Sequence, residues 1–323
     1  MKYIRMILCA ATVCFLLFTP QALVKGAQEQ FVDTRFVRKT DGYRGSVVIC
    51  HIVRHRPYAG SITQWLKSRA EAYEKKHKGT FIEIEGMDET HFYERLDRGR
   101  RPDAYSFFSG TLYPDRLAAL TALDFPYREG VFRTERCIPY CFSGYCRLIR
   151  KPDGGHKTAY FADPVLAARC ETDYVPAPEE KADDLYLDLR RAGDLIRYKD
   201  GFTLAEIEPV DSFTDAVCWM GIDRETDDEK ANVILDFIAF LLEPESQQTL
   251  NPLGLLSVRA DVKNVPPEAG LKQVFRAYES VSTVDPFLWN AQYDALTEDA
   301  ALAAGGDAEA KERFRIRLNE CKR

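Results

Sequence analysis

The stretch GSVVICHIV, residues 45–53, decides the fold class, because it is apolar on both faces once Ser46 is passed. A strand of this kind is typical of a parallel sheet that helices cover on both sides. The residues that follow, as far as Gly110, predict the order strand, helix, strand, helix, strand. Parallel strands need such crossover helices. The sequence therefore predicts an α/β fold with polar loops along one edge of a parallel sheet.

The first crossover helix has a start signal in the sequence. Pro57 and Gly60 break the strand pattern, and Ser61 with Gln64 makes the S-x-x-Q pattern of a capping box. Apolar residues then recur at helical spacing as far as Tyr73. We expect a helix that begins at about Ser61 and packs one face on the sheet.

Two further strands complete the pattern. TFIEIEG, residues 80–86, alternates apolar and acidic side chains. Asp88 is placed to cap a short helix that carries Phe92 and Leu96. The third predicted strand is AYSFF, residues 104–108.

Ligands of open α/β sheets bind beyond the carboxyl ends of the strands. Three loops are expected to converge there, at residues 54–61, 85–88 and 106–111. The candidate contacts in these loops are Arg56, Tyr58, Phe107, Phe108 and Ser109. They combine aromatic faces with hydrogen-bond donors and suit a polar organic ligand. An alternative stays open, in which the two phenylalanines belong to the core and the tyrosine anchors its loop.

In kind and in order, these segments resemble the extracellular solute-binding proteins of family 1, the carbohydrate-type receptors of ABC importers. The resemblance begins with a secretion signal and the strand at 45–53. It continues with a long helix that ends in KKHKGTFIEIEGM, residues 75–87, and with PDAYSFFSG, residues 102–110. A segment at 136–151, RCIPYCFSGYCRLIRK, resembles the place where such chains cross a hinge with a tyrosine pair, here Tyr140 and Tyr145.

Residues 218–261 carry the more specific part of the resemblance. They look like the strand, helix and terminal loop through which such chains revisit the first lobe, with SQQTL and SVRAD as flanking segments. Read from the residues alone, Thr226 and Glu229 form a second capping-box pattern. The apolar stripe that follows it predicts a core helix and consists of Ile234, Phe237, Ile238, Leu241 and Leu242.

The resemblance implies a two-lobed, periplasmic-binding-protein-like (type II) fold. The expected divisions are a first α/β lobe at 28–136 and 209–262, and a second lobe at 137–208 and 263–323 with C-terminal helices. It also implies Ser61, Tyr140 and Trp219 as further ligand contacts beside the loop residues. Trp219 precedes the re-entry strand and is equally suited to be hinge core.

The function that follows from the resemblance is solute binding for an ABC importer. A carbohydrate or similar polar solute would bind between the lobes and pass to a membrane permease, with the receptor a monomer. The segment at 151–210 is much shorter than the family's pattern, so we expect a reduced second lobe. Closure on a ligand needs two opposing walls. The alternative is therefore a degenerate receptor that serves as a surface sensory or interaction subunit without transport.

Composition and motifs exclude several other functions. The 323 residues, 46% of them apolar, can build one or two domains, and a net charge of −6 offers no basic surface for nucleic acid. The sequence has no G-x-S-x-G, H-E-x-x-H, P-loop or G-x-G-x-x-G motif. Of the five histidines only His55 falls in a candidate loop, and a glycosidase pair of Glu85 and Asp103 is disfavoured. We predict a non-enzyme without cofactor or metal.

The N-terminus predicts export. MKYIR followed by MILCAATVCFLLF has the charged start and apolar run of a secretory signal, with a breaker at Pro20, and we expect the signal to span residues 1–27. The alternative is that residues 6–24 stay as a membrane anchor. A lipid anchor is disfavoured because Cys9 and Cys14 lie inside the apolar run. The expected location is extracellular or in the cell envelope.

Removal of the signal leaves an odd number of cysteines, so at least one must be free. They are Cys50, Cys137, Cys141, Cys146, Cys170, Cys218 and Cys321. The three at 137–146 do not have the spacing of a zinc site, and we interpret them as buried small hydrophobic residues on strands. Several free thiols in an exported chain favour an envelope that faces a reducing environment.

Overall fold

The computed structural model describes residues 42–55, 57–120, 126–150, 186–188, 204–209, 213–280 and 282–322. The predicted signal, the candidate contact Arg56 and most of the short segment 151–210 lie outside these ranges. Within them, no helix combines the length and the apolar character that a membrane crossing requires.

The described part of the chain is mixed α/β. Its strands are β1 (Gly45–Ile52), β2 (Thr80–Met87), β3 (Ala104–Phe108), β4 (Ile138–Phe142), β5 (Tyr145–Arg150), β6 (Tyr186–Asp188), β7 (Leu204–Pro209), β8 (Phe213–Thr214), β9 (Val217–Ile222) and β10 (Ser282–Thr283). Its α-helices are α1 (Ile62–Lys76), α2 (Glu89–Asp97), α3 (Asp228–Leu241), α4 (Pro244–Gln248), α5 (Lys272–Tyr278), α6 (Pro286–Ala304) and α7 (Ala308–Cys321).

The larger sheet has five strands in the order β2-β1-β3-β9-β4. β1 pairs in parallel with β2 and with β3, and α1 and α2 supply the crossovers. β9 runs antiparallel between β3 and β4. The predicted strand–helix–strand–helix–strand order and the α/β class are confirmed, with the first three strands within one residue of their predicted bounds.

The caps of the two crossover helices follow the sequence patterns. Ser61 accepts a hydrogen bond from the backbone N–H of Gln64 at 3.1 Å, and Asp88 accepts one from that of His91 at 2.9 Å. Each bond satisfies an N–H that has no partner inside the helix. Both helices therefore begin where the sequence predicts.

The capping-box prediction for α3 is wrong by one residue. Asp227, not Thr226, caps the helix and accepts from the backbone N–H of Lys230 at 2.9 Å. The Thr226 hydroxyl instead donates to the carbonyl of Asp103 at 2.8 Å, in the turn before β3. The hydroxyl is therefore bonded to a distant part of the chain and does not cap the helix. The apolar stripe predicted for this helix is buried throughout.

The large sheet and its helices share one core. α1 lies against β2, and α3 contacts α1, β1, β4 and β9. The Trp65 ring of α1 stacks on the Tyr140 ring of β4, with centroids 5.9 Å apart. One face of α1 therefore packs on the sheet, as its apolar spacing predicts.

A second group of elements contains a three-stranded antiparallel sheet, β6-β5-β7, with α5 packed on β7. α6 and α7 pack on each other around a separate apolar cluster that includes Phe213 and Trp289. The buried Asp299 of α6 accepts from Arg313 Nε at 2.8 Å and from Arg317 Nε at 3.0 Å. Ion pairing therefore fastens the two C-terminal helices together.

The chain leaves the large sheet between β4 and β5 and returns through β8 to β9. The Thr214 hydroxyl donates to the Ser143 carbonyl at 2.7 Å, which joins the two crossings. Gly144 lies on the outgoing crossing, between β4 and β5, and a Cβ at this position would overlap the ring of Tyr278. The proposed domain boundaries at 136, 208 and 262 stay predictions.

Candidate functional site

The carboxyl ends of β1 and β3 lie side by side, because Ile49 pairs with Ala104 and His51 with Ser106. The loops that leave these strands meet at this edge of the sheet. Arg54 Nη1 donates to the carbonyl of Ser109 at 3.4 Å, near the limit for a hydrogen bond. The loop after β1 is thereby held against the loop after β3.

Three predicted contacts come together behind this edge. Phe107 pairs with Trp219 across the β3–β9 ladder, and Trp219 Nε1 donates to Ser109 Oγ at 2.9 Å. Phe107 and Trp219 have no exposed surface, and Ser109 has 2%. The bond satisfies the buried indole N–H. These three residues form a buried layer, called the wall here, directly beneath the surface at the carboxyl ends of β1 and β3.

Phe108 connects that wall to the loop after β1. Its ring meets His55 edge-on, with centroids 4.7 Å apart. Phe108 is buried and His55 is half-buried, so the imidazole covers the phenyl ring at the edge.

Tyr140 lies deeper in the sheet, within a chain of buried polar groups. Its hydroxyl is 2.8 Å from Ser106 Oγ, which is 2.7 Å from His51 Nδ1. The same hydroxyl donates to Cys218 Sγ at 3.1 Å. Burial lowers the pKa of His51 to about 4, so the imidazole is neutral at physiological pH. These hydrogen-bonded groups connect β1, β3, β4 and β9 inside the sheet, and they lie away from the edge where the loops meet.

Tyr58 and Ser61 are held by other partners. The Tyr58 hydroxyl donates to Glu268, and its Cβ occupies the space that a side chain at Gly254 would need. Ser61 caps α1. Tyr58 is thus packed on the segment 254–268, while Ser61 is half-buried at a helix start.

Sequence reasoning missed the contribution of α6 to this edge. The guanidinium of the exposed Arg54 lies over the Tyr293 ring, 5.6 Å from its centroid. Trp289 and Tyr293 share one face of α6, because residues four apart in a helix lie on the same side. This i, i+4 aromatic pair is the one signal in the sequence that could have found it.

Gly110 sets how closely α6 approaches. Its φ of +85° favours glycine, and a Cβ there would lie 3.1 Å from both Arg54 Nη1 and Trp289 Cδ1. The backbone N–H of Gly110 also donates to the Pro286 carbonyl at 3.4 Å. The buried Trp289 Nε1 has no hydrogen-bond partner among the described residues. The first turn of α6 therefore packs directly on the loop after β3.

A cavity of about 410 Å³ lies at the opposite edge of the sheet, where Ile222 pairs with the start of β3. Its rim carries Asp115, Arg136 and Arg224, whose arginines donate to nearby backbone carbonyls. Across the described ranges, no three His, Cys, Asp or Glu side chains group as a metal site. At the carboxyl ends of β1 and β3, by comparison, His55 and Tyr293 offer aromatic faces and Arg54 offers hydrogen-bond donors.

The solved structures with a similar fold include the following three. The sugar-binding protein MalE from Xanthomonas citri matches with a TM-score of 0.60 at 11% identity, over 86% of this chain and 97% of that one. A family 1 extracellular solute-binding protein from Bifidobacterium longum subsp. infantis gives 0.59 at 12%, over 86% and 99%. The GacH receptor of Streptomyces glaucescens, solved unliganded and with acarbose, gives 0.57 at 14%, over 86% and 99%.

No protein-family model matches the sequence. No curated protein matches it either. The structural likeness therefore stands on three-dimensional arrangement, and it confirms the predicted fold, the two-lobed solute-binding-protein fold.

Proposed function

We propose that this chain, which has the fold of the extracellular solute-binding proteins, is an exported receptor of an ABC importer. It binds a carbohydrate or a similar polar solute and delivers it to a membrane permease. The observation that carries the proposal is the grouping of Arg54, His55 and Tyr293 at the carboxyl edge of β1 and β3. In open α/β sheets this edge is where ligands bind.

The chemistry of the group fits a polar solute with ring faces. The Tyr293 ring offers an apolar surface for stacking, and Arg54 offers N–H donors. The bond from Arg54 to the Ser109 carbonyl is long, at 3.4 Å, so a ligand oxygen can compete for the same donor. Phe107, Phe108 and Trp219 support the site from below, because they are buried beneath it.

The proposed lobe boundaries place the two sides of this group in different lobes. Arg54 and His55 belong to the segment 28–136, and Tyr293 belongs to the segment 263–323. A solute held by both would bridge the lobes, and its binding energy would favour the closed arrangement. Release to the permease would follow when the lobes separate.

A second candidate function is a degenerate receptor that acts as a surface sensory or interaction subunit. Two observations favour it. Trp289 packs directly on the loop at Gly110, which fills part of the space between the two sides. The sequence at 151–210 is also short for a full second lobe.

The test is thermal unfolding of residues 28–323 with mono- and oligosaccharides, peptides and polyamines. A ligand at one hundred times its dissociation constant adds about 2.7 kcal/mol of stability, which raises Tm by several degrees. A saturable rise with one class supports the receptor function. A flat response across the panel, from a chain that melts cooperatively, supports the degenerate receptor.

Two variants locate the site. Arg54→Gln is expected to weaken the saturable response at least tenfold, because a charged donor to the solute is lost. Arg98→Gln removes the exposed arginine at the C-cap of α2, away from the edge, and is the matched control. Equal responses in the two variants would place the solute elsewhere.

A further inference from the structure

Cys141 and Cys218 stand directly opposite each other on the antiparallel strands β4 and β9. Both are fully buried free thiols. The Cys218 sulfur accepts a hydrogen bond from the Tyr140 hydroxyl at 3.1 Å. The two cysteines are therefore neighbours across the β4–β9 ladder, inside the core.

The strand geometry suits a covalent bond between them. Directly opposite residues of an antiparallel pair have Cα atoms about 4.5 to 5.5 Å apart. Disulfides span Cα separations of about 4.4 to 6.8 Å. The ladder continues on one side of the pair, because the backbone N–H of Ser143 donates to the Ala216 carbonyl at 2.8 Å. On the other side the register shifts between Pro139 and Cys141, so the bond would join the two strands beside this irregularity.

The other cysteines on described strands have different neighbours. Cys50 stands opposite Tyr105 and Glu85. Cys146 stands opposite Leu187 and Pro209. Within the paired strands that the structure describes, Cys141 and Cys218 are thus the one pair of facing cysteines.

The two cysteines lie at the two ends of the segment that leaves the large sheet and returns to it. Cys141 comes just before the chain leaves the large sheet at Gly144, and Cys218 comes just after it returns through β8. We propose that Cys141 and Cys218 form a disulfide when the chain folds in an oxidising compartment. The bond closes the base of the whole excursion from β5 to β8 and fastens the two crossing strands to each other.

The chemistry requires that the bond form before the sheet closes. Burial raises the pKa of Cys141 well above its usual value, and the thiolate is the reacting species. In the unfolded chain one thiolate attacks a small-molecule disulfide and makes a mixed disulfide. The second thiolate then displaces the remaining half. The two thiol hydrogens and two electrons of the chain end on the small molecule, which leaves as two thiols.

The experiment starts from the full chain, unfolded in guanidinium chloride and fully reduced. One portion refolds with oxidised and reduced glutathione, and the other with reduced glutathione alone. Remaining thiols are alkylated under denaturing conditions, and the chain is cleaved with chymotrypsin without reduction. Cleavage after Tyr140, Phe142 and Tyr145 separates Cys141 from Cys137 and Cys146. We expect a peptide pair joined through Cys141 and Cys218 in the first portion alone.

Thermal unfolding gives a second readout. A crosslink that closes a long stretch of chain raises Tm by several degrees, because it restricts the unfolded state. Cys141→Ser and Cys218→Ser are expected to abolish the difference in Tm between the two portions. Cys50→Ser, a buried cysteine on β1, is the matched control and is expected to keep it.

Alkylated Cys141 and Cys218 after oxidative refolding to the native fold would overturn the proposal, as would a link from either one to another cysteine. The peptide map of the unsubstituted chain decides the matter even where a serine variant fails to fold. Because no solute is involved, the outcome is independent of the proposed solute binding.

Discussion

The buried Gln247 connects the large sheet to the segments around it, and its loss should destabilise the fold. Its fully buried side chain donates to the Tyr140 carbonyl at 2.8 Å and to the Leu241 carbonyl at 2.9 Å. Its Oε1 atom accepts from the Ser257 hydroxyl at 2.7 Å. The β4 ladder shifts register between Pro139 and Cys141, where the Tyr140 carbonyl takes its bond from the glutamine.

Gln247→Ala removes three hydrogen bonds and leaves buried polar groups without their partner. Each intramolecular hydrogen bond contributes about 1 kcal/mol, and a buried group left unsatisfied costs about 1 to 3 kcal/mol. We therefore expect the free energy of unfolding to fall by about 3 to 5 kcal/mol. This loss is a large part of the 5 to 15 kcal/mol that a typical native protein has.

The measurement is urea unfolding followed by tryptophan fluorescence, with the free energy taken from linear extrapolation. Gln248→Ala is the matched control, because the neighbouring glutamine is exposed on the same short helix. Surface substitutions of that kind change stability by about 0.5 kcal/mol or less. A loss for Gln247→Ala no larger than that of the control would refute the assigned network. A double-mutant cycle with Ser257→Ala isolates the energy of the side-chain pair.

Three further outcomes are expected. Gly144→Ala should destabilise the fold by forcing the Tyr278 ring aside, and Tyr278→Ala should relieve the added cost in the double variant, as read from urea midpoints. Asp299→Ala should lower stability by about 1 to 3 kcal/mol and speed hydrogen exchange in α7, since it removes the acceptor of two arginines, whereas the exposed Glu298→Ala should not. The folded-state pKa of His51, about 4, lies below its unfolded value of about 6.5, so the unfolded chain binds the extra proton between these values. Stability should therefore fall by up to about 3 kcal/mol from pH 7 to pH 4, and His51→Phe should remove that part of the pH dependence.

The large sheet could be predicted from sequence because its signals are local. The apolar run of β1, the alternation of β2 and the caps at Ser61 and Asp88 each lie within a few residues of the element they define. The cap of α3 was displaced because the Thr226 hydroxyl bonds to Asp103, more than a hundred residues earlier in the chain. A pattern within one segment contains no information about such a partner.

The same limit explains why the sequence did not show which residues of the candidate site are buried. Loop position correctly placed Phe108 and Ser109 at the edge of the sheet, but aromatic residues at the end of a strand covered on both faces become buried. Trp219 arrives on the antiparallel strand opposite Phe107, and its N–H is already satisfied by Ser109. Phe107, Phe108, Ser109 and Trp219 therefore lie beneath the edge and support it.

The groups exposed at the proposed binding edge depend on the helix that packs there. α6 approaches to the distance that Gly110 permits, and it brings the Tyr293 ring under the guanidinium of Arg54. A larger side chain at Gly110 would meet both Arg54 and Trp289, and would push the helix away from the loop after β3. The spacing between the two sides of the proposed site thus depends on one glycine. In the proposed site, binding and the approach of α6 would be coupled, because a solute between Arg54 and Tyr293 has to replace the contact that these two residues make with each other.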